Sequence, residues 1–188
     1  MNLIEAGKRI YEKGLVVGKS GNISYKLDEG RILITATGTC LGVITDGDLV
    51  VVNLKGKVVK GHKNPSSEMR MHLEIYKAYK SIKAVVHTHS PYASAFAYCG
   101  KKLKSVNPES EIFLGETPIL SFFPHGTMEL AKAVTDTLKD SKVTLMEKHG
   151  VVTVGKGLSQ AIELAELVEE TAKINYLVET LAKNKGEG

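Results

Sequence analysis

The sequence predicts a single α/β domain in which helices layer against an antiparallel or mixed sheet. Three observations carry this expectation. The 188 residues suit one domain with a substantial core. Strand-like and helix-like patterns alternate irregularly, and two of the strand pairs read as hairpins, which disfavours a regular βαβ winding. No linker, internal repeat or low-complexity segment divides the chain. One domain is therefore expected over residues 1–188, with only the terminal KNKGEG reading as a frayed tail.

Residues 3–13 place Leu3, Ile4, Ile10 and Tyr11 at helical spacing, and Gly14 reads as the stop. The glycine-studded VVGKSGNISYK that follows reads as a loop. Residues 31–35 (RILIT) and 48–53 (DLVVVN) read as strands, and LKGKVVKG as a hairpin. NPSSEMRMHLEIYKAY reads as a helix with Asn64 as its N-cap and Pro65 at its first position. KAVVHTH is a strand, SPYASAFAYCG a short helix and ILSFF a short strand. GTMELAKAVTDTLKD is a helix with Thr127 near its start, and KVTLMEKHGVVTVG two short strands turning at His149 and Gly150. The last element is a long helix from LSQAIELAEL onward, with Leu158, Ile162, Ala165 and Val168 on one face.

Composition narrows the function classes. Hydrophobic residues make up 43% and charged residues 24%, an ordinary globular balance. The net charge of +4 is spread along the chain, which fits a small anionic substrate as well as a nucleic acid. Aromatic residues are only 6%, too few to suggest a base-stacking surface. Cys40 and Cys99 form neither a disulfide framework nor a zinc-finger spacing. No apolar signal core or spanning stretch occurs, so a reduced, cytoplasmic protein is expected.

The candidate site starts at AVVHTHSPYASA. Strand alternation turns His87 and His89 to the same side, with Thr88 on the other. Two imidazoles there could form a metal site, but taken alone they read more readily as two ordinary polar residues where a strand meets a loop. His149 in EKHG reads alone as a turn histidine. Glu68 in PSSE reads alone as a first-turn acid complementing the helix dipole. Together they make three imidazoles and one carboxylate, the donor inventory of a catalytic zinc site. His62, His72 and His125 read as surface residues. SGNIS, TGT and PSSE offer amides and hydroxyls of the kind that bind anions, or plain turns and caps, and none is a Walker loop or dinucleotide fingerprint.

Four segments in this order, GNIS, ITATGT, PSSEMRMH with AVVHTHSPYA, and LMEKHGVVTVG, resemble the class II aldolase/adducin family, most closely its fuculose-phosphate aldolases. The resemblance spans nearly the whole chain. It implies a three-layer sandwich, with a central, mostly antiparallel sheet flanked by helices, assembled as a homotetramer with active sites between subunits. By position, His87, His89 and His149 match the family's zinc ligands. Glu68 matches the glutamate that is both ligand and catalytic base, and Asn22, Thr37, Gly38, Ser66 and Ser67 match phosphate-binding positions. The implied cofactor is one zinc ion (Zn2+) per subunit. The implied partner is a phosphorylated sugar, with no nucleic acid and no membrane. The implied reaction is reversible cleavage of a ketose 1-phosphate to dihydroxyacetone phosphate and an aldehyde such as lactaldehyde.

Other members of the resemblance imply a ribulose-phosphate 4-epimerase, a methylthioribulose-phosphate dehydratase or a decarboxylase. An adducin-like interaction module is a further alternative, which the retained metal and phosphate residues count against. One departure stands out. The family aldolase carries a tyrosine acid in the stretch that here reads SVNPESEIFLG, and a second on a longer C-terminal tail, which these 188 residues are expected to fall short of. Glu109 is the expected replacement, with Glu111 beside it.

Overall fold

The structure, a computed structural model, describes residues 1–184. The elements are α1 (Leu3–Glu12), β1 (Asn22–Lys26), β2 (Arg31–Thr35), β3 (Leu49–Asn53), β4 (Val58–Lys60), α2 (Met69–Ala78), β5 (Ala84–Thr88), α3 (Pro91–Tyr98), β6 (Ile119–Leu120), α4 (Met128–Thr137), β7 (Val143–Met146), β8 (Gly150–Gly155) and α5 (Leu158–Asn184). The strands form one eight-stranded sheet in the order β4-β3-β2-β1-β5-β8-β7-β6. Every neighbouring pair is antiparallel except β6 with β7. This is the mostly antiparallel three-layer arrangement expected.

Period-two alternation sorts the sheet into two faces. Val85, Val152 and Val154 pack with Met71, Ile75 and Tyr76 of α2 and Leu130 and Val134 of α4. Ala84, Val86 and Ile23 pack on the opposite face with Ile10 of α1 and Ile162 and Ala165 of α5. A third cluster joins α3, β7 and α5 through Phe96, Leu145 and Val168. The helix starts are capped as their residue types predict. Asn2 and Glu5 form a capping box on α1, and the Thr127 side chain accepts from Leu130 N at the start of α4.

Two expectations are corrected. The NISYK stretch is a strand rather than a loop, hydrogen-bonded between β2 and β5 at the centre of the sheet. Its polar residues Asn22 and Ser24 are buried toward α2, which hides the usual apolar alternation. Burial of Ile23 on the other face contributes about 1.5–3 kcal/mol and offsets part of that polar cost. The second correction concerns α2, which begins at Met69 rather than at Pro65. Residues 64–66 run beside the end of β2 instead: Thr37 N donates to Asn64 O, and Ser66 N to Thr35 O. That pairing outweighs the local capping signal at Asn64. Of the expected tail, Lys183 and Asn184 continue α5, and residues 185–188 lie outside the described residues.

Candidate metal centre and anion pocket

The site lies where β1, β5, β8 and the start of α2 meet. In register, Asn22 of β1 and Val152 of β8 flank His87 of β5. His87 and His89 share the α2 side of the sheet, as their spacing predicts. The β7–β8 turn brings His149 against the end of β5. Gly150 makes this approach feasible, because a Cβ there would collide with the carbonyl oxygen of Thr88 and crowd both imidazoles. Lys148 in the same turn holds a left-handed φ of 54°, a conformation that non-glycine residues rarely adopt outside constrained sites. Glu68 stands just ahead of α2, placed by the pairing of Ser66 with β2.

The four predicted side chains converge. His89 Nε2 lies 3.0 Å from His87 Nε2. Glu68 Oε2 lies 3.1 Å from His87 Nε2, and Glu68 Oε1 lies 3.0 Å from His149 Nε2. The ligand nitrogens of the three histidines all fall within 4.8 Å of one another. His87 is fully buried and its Nδ1 pairs with Val151 O at 2.9 Å. In the neutral ring Nδ1 is then the protonated nitrogen, and Nε2 presents a lone pair.

A lone pair facing a carboxylate oxygen at that distance is repulsive unless a cation or a proton lies between them. Glu68 Oε1, buried, finds no aligned hydrogen-bond donor, a deficit costing about 1–3 kcal/mol. Both features fit a divalent metal. Three imidazole nitrogens with a carboxylate suit zinc and its transition-metal neighbours better than magnesium or calcium.

The electrostatics agree. Burial alone would raise the Glu68 carboxyl, but the nearby His87 and His149 outweigh it and hold it well below the usual range. Burial pushes His87 down, yet the Glu68 charge more than compensates and raises it. His89, by burial and its imidazole neighbours, is lowered to about 4. Metal binding here displaces protons, as it does wherever ligands must be deprotonated.

The cluster opens onto a pocket of about 310 Å³. All five residues expected at a phosphate line it: Asn22, Thr37, Gly38, Ser66 and Ser67. Gly38, at φ 72°, makes the tight turn that exposes this stretch of main chain. Sequence reasoning missed Lys19, Phe122 and Lys148 on the same wall; the adjacency of Lys148 to His149 was an available signal. His125, exposed as expected, also lines the pocket, and His62 is exposed. The expectation of a surface His72 fails outright: it is fully buried between Ser24 and Asn22.

Glu109 is not brought to the cluster within one chain. It is exposed at the head of a π-helical turn, Ser110–Leu114, and lines a separate cavity with Lys13, Glu163 and Glu166. None of those residues borders the Glu68 pocket. Among the described residues no helix is long and apolar enough to cross a membrane.

A cluster suited to a divalent metal, opening on a pocket of hydroxyls, amides and lysines, marks an α/β metalloenzyme for small anionic substrates. Comparison with known proteins narrows that class. The family model of the class II aldolase and adducin N-terminal domain matches residues 1–176, and the chain belongs to this family. An L-fuculose phosphate aldolase of Methanococcus maripaludis strain C5 is 40% identical over 182 residues, covering 97% of this chain and 98% of that protein. A 3-oxo-tetronate 4-phosphate decarboxylase of Haemophilus influenzae is 32% identical, covering 97% of this chain and 93% of that protein. A solved structure of an L-fuculose 1-phosphate aldolase superposes with a TM-score of 0.88 at 30% identity, covering 95% of this chain and 85% of that one. The protein is an aldolase-class lyase, and its family implies a divalent metal.

Proposed function

We propose that the protein is a zinc-dependent aldolase that reversibly cleaves a ketose 1-phosphate, of the fuculose 1-phosphate kind, to dihydroxyacetone phosphate and an aldehyde such as lactaldehyde. The convergence of His87, His89, His149 and Glu68 at the head of the Ser66–Ser67 pocket carries this reading. The three histidines and Glu68 would hold the metal, which when bound supplies Lewis-acid stabilisation of negative charge developing on a substrate oxygen. Ser66, Ser67, Thr37, Gly38 and Asn22 would bind the phosphate and fix the non-reacting end of the substrate, so that the reacting carbons are oriented before reaction. In the condensing direction Glu68 takes the proton from C3 of dihydroxyacetone phosphate, and in cleavage it returns it. The histidines beside Glu68 keep its carboxyl ionised, the protonation state that a base requires.

Glu109 is the proposed acid for the aldehyde oxygen. Its position in a separate cavity requires that it act on a neighbouring subunit's pocket, in a cytoplasmic homotetramer with sites between subunits. The exposed Ile112 and Phe113 beside it, 72% and 57% accessible, support burial of that surface in an assembly. A second reading is decarboxylation of a phosphorylated oxo acid, favoured by Lys19 and Lys148 on the pocket wall and by the decarboxylase relative. Zinc-loaded protein is to be assayed against ketose 1-phosphates for dihydroxyacetone phosphate release, and against 3-oxo acid phosphates for carbon dioxide release. Dihydroxyacetone phosphate that appears with parent protein and not with Glu68→Gln supports the aldolase. Carbon dioxide alone replaces it with the decarboxylase.

A further inference from the structure

A buried hydrogen-bonded chain runs through the molecule to Glu68, and the chemistry above does not use its far end. Tyr76 Oη lies 2.8 Å from Ser24 Oγ, and Ser24 Oγ lies 2.6 Å from His72 Nδ1. His72 Nε2 lies 2.6 Å from Asn22 Oδ1, and Asn22 Nδ2 donates to Glu68 Oε2 at 2.8 Å. Ser24 and His72 are fully buried, and Tyr76, Asn22 and Glu68 are 2%, 7% and 7% accessible. The chain is a zipper between two elements. Residues 68, 72 and 76 follow one helical face at four-residue spacing, and residues 22 and 24 share one face of β1.

Its direction is forced. An ionised carboxylate only accepts, so the Asn22 N–H end faces Glu68 and its Oδ1 faces His72. His72 Nε2 must therefore carry the proton. In the neutral ring Nδ1 accepts from the Ser24 hydroxyl, and Ser24 in turn receives the Tyr76 hydroxyl. Every proton points toward Glu68. Buried polar networks of this kind are costly unless fully satisfied, and satisfied ones fix a single arrangement.

We infer that His72 is a positioning residue: as its neutral Nε2–H tautomer it locks the Asn22 carboxamide with its N–H toward Glu68, and so holds the Glu68 carboxylate against the three-histidine cluster. Burial of the ring, which lowers its pKa to about 3, keeps it neutral. Without the His72 donor, the buried Asn22 Oδ1 loses its partner, the carboxamide is no longer held in place, and the Glu68 carboxylate loses its fixed anchor. The inference rests on the reading of Glu68 as metal ligand and base.

The test compares His72→Leu, which removes both nitrogens at similar volume, with His72→Gln, which keeps an N–H toward Asn22. His72→Leu is expected to lower kcat and weaken zinc affinity, measured by chelator competition, by roughly 10–100-fold, the usual cost of losing a group that orients a metal ligand. His72→Gln is expected to recover most of both. In the parent protein, imidazole nitrogen NMR is expected to show Nε2 protonated and Nδ1 bare near neutral pH. A Nδ1–H tautomer, parent-like kcat and zinc affinity in His72→Leu, or a Gln variant as impaired as Leu overturns the inference. Glu68→Gln run in parallel separates the two levels. An active Glu68→Gln removes the underlying reading of the site, whereas an inactive one beside an intact His72→Leu removes only the role of His72.

Discussion

Gly150→Ala is the smallest substitution that tests how the metal centre is built. Gly150 opens β8 directly after His149, where the turn passes closest to the His87–His89 strand. An added Cβ would strike the Thr88 carbonyl oxygen, and would stand 3.0 Å from His89 Cδ2 and 3.2 Å from His87 Cε1. Ordinary contact begins at 3.4 Å. Two of these three neighbours do not yield easily, since Thr88 O belongs to the main chain of β5 and the His87 ring is buried and tied to Val151 O. The φ of Gly150 is not left-handed, so alanine adds contact without backbone strain. The β7–β8 turn must retreat, and His149 retreats with it.

Overpacking of this kind costs about 1–3 kcal/mol. For a domain of this length that is roughly 2–12 °C in the melting temperature of metal-stripped protein. Withdrawal of one imidazole should weaken zinc binding by about 10–100-fold, a change comparable to losing a ligand's supporting contact. Chelator competition reads the affinity and calorimetry the melting. Gly47→Ala is the control, since its added Cβ would meet nothing nearer than Thr45 Oγ1 at 3.7 Å. If Gly150→Ala binds zinc as tightly as the parent, His149 does not depend on the close approach of the turn, and the reasoning fails.

Three further outcomes are expected. Ser67→Ala should raise KM for a phosphorylated ketose and leave metal content unchanged; a parent-like KM would remove Ser67 from phosphate recognition, and a parent protein as active on the unphosphorylated sugar would defeat the phosphate-pocket reading. Glu109→Gln should slow aldol cleavage by roughly 10²–10⁴-fold yet preserve solvent deuterium exchange into dihydroxyacetone phosphate, and a parent-like cleavage rate would make Glu109 a loop acid. Because burial lowers His72 to about 3 from 6.5, the unfolded chain takes up that proton first as pH falls. This contribution to stability is complete above 6.5 and declines toward 3, by up to about 1.4 kcal/mol per pH unit. Denaturant titration of metal-stripped protein at pH 7 and pH 5 should show the decline in the parent and a smaller one in His72→Gln.

Much of the candidate site was legible because its geometry is local. One-residue separation puts His87 and His89 on one side of a strand whatever lies around it, and a glycine after His149 signals a tight turn. The start of α2 was misread for the opposite reason. Asn64 and Pro65 carry a strong local N-cap signal, yet the backbone of residues 64–66 spends its hydrogen bonds on residues 35–37 of the β2 edge. That choice is made by a segment some thirty residues away, and no local pattern records it. Glu109 was placed from the resemblance, and a single chain leaves it in another cavity.

β1 and His72 were misread together, and for one reason. A strand with Asn22 and Ser24 on its inner face lacks the apolar alternation that marks half-buried strands, so NISYK reads as loop. A helix with Glu68 and His72 on the matching face reads as turned to solvent there, because ionisable residues are seldom buried without partners. Each reading is sound in isolation, and each fails because the other segment supplies the partners. Ser24 and Asn22 satisfy both nitrogens of His72, and Asn22 reaches Glu68. Two polar faces that are individually implausible as core become stable when every donor on one meets an acceptor on the other. The apolar face of β1 hints at this, since Ile23 and Tyr25 have no reason to alternate with polar residues in a solvated loop. What the alternation cannot say is which helix answers it. The spacing of residues 68, 72 and 76 is the matching half, and the donor and acceptor inventories of the two stretches are complementary in the sequence itself.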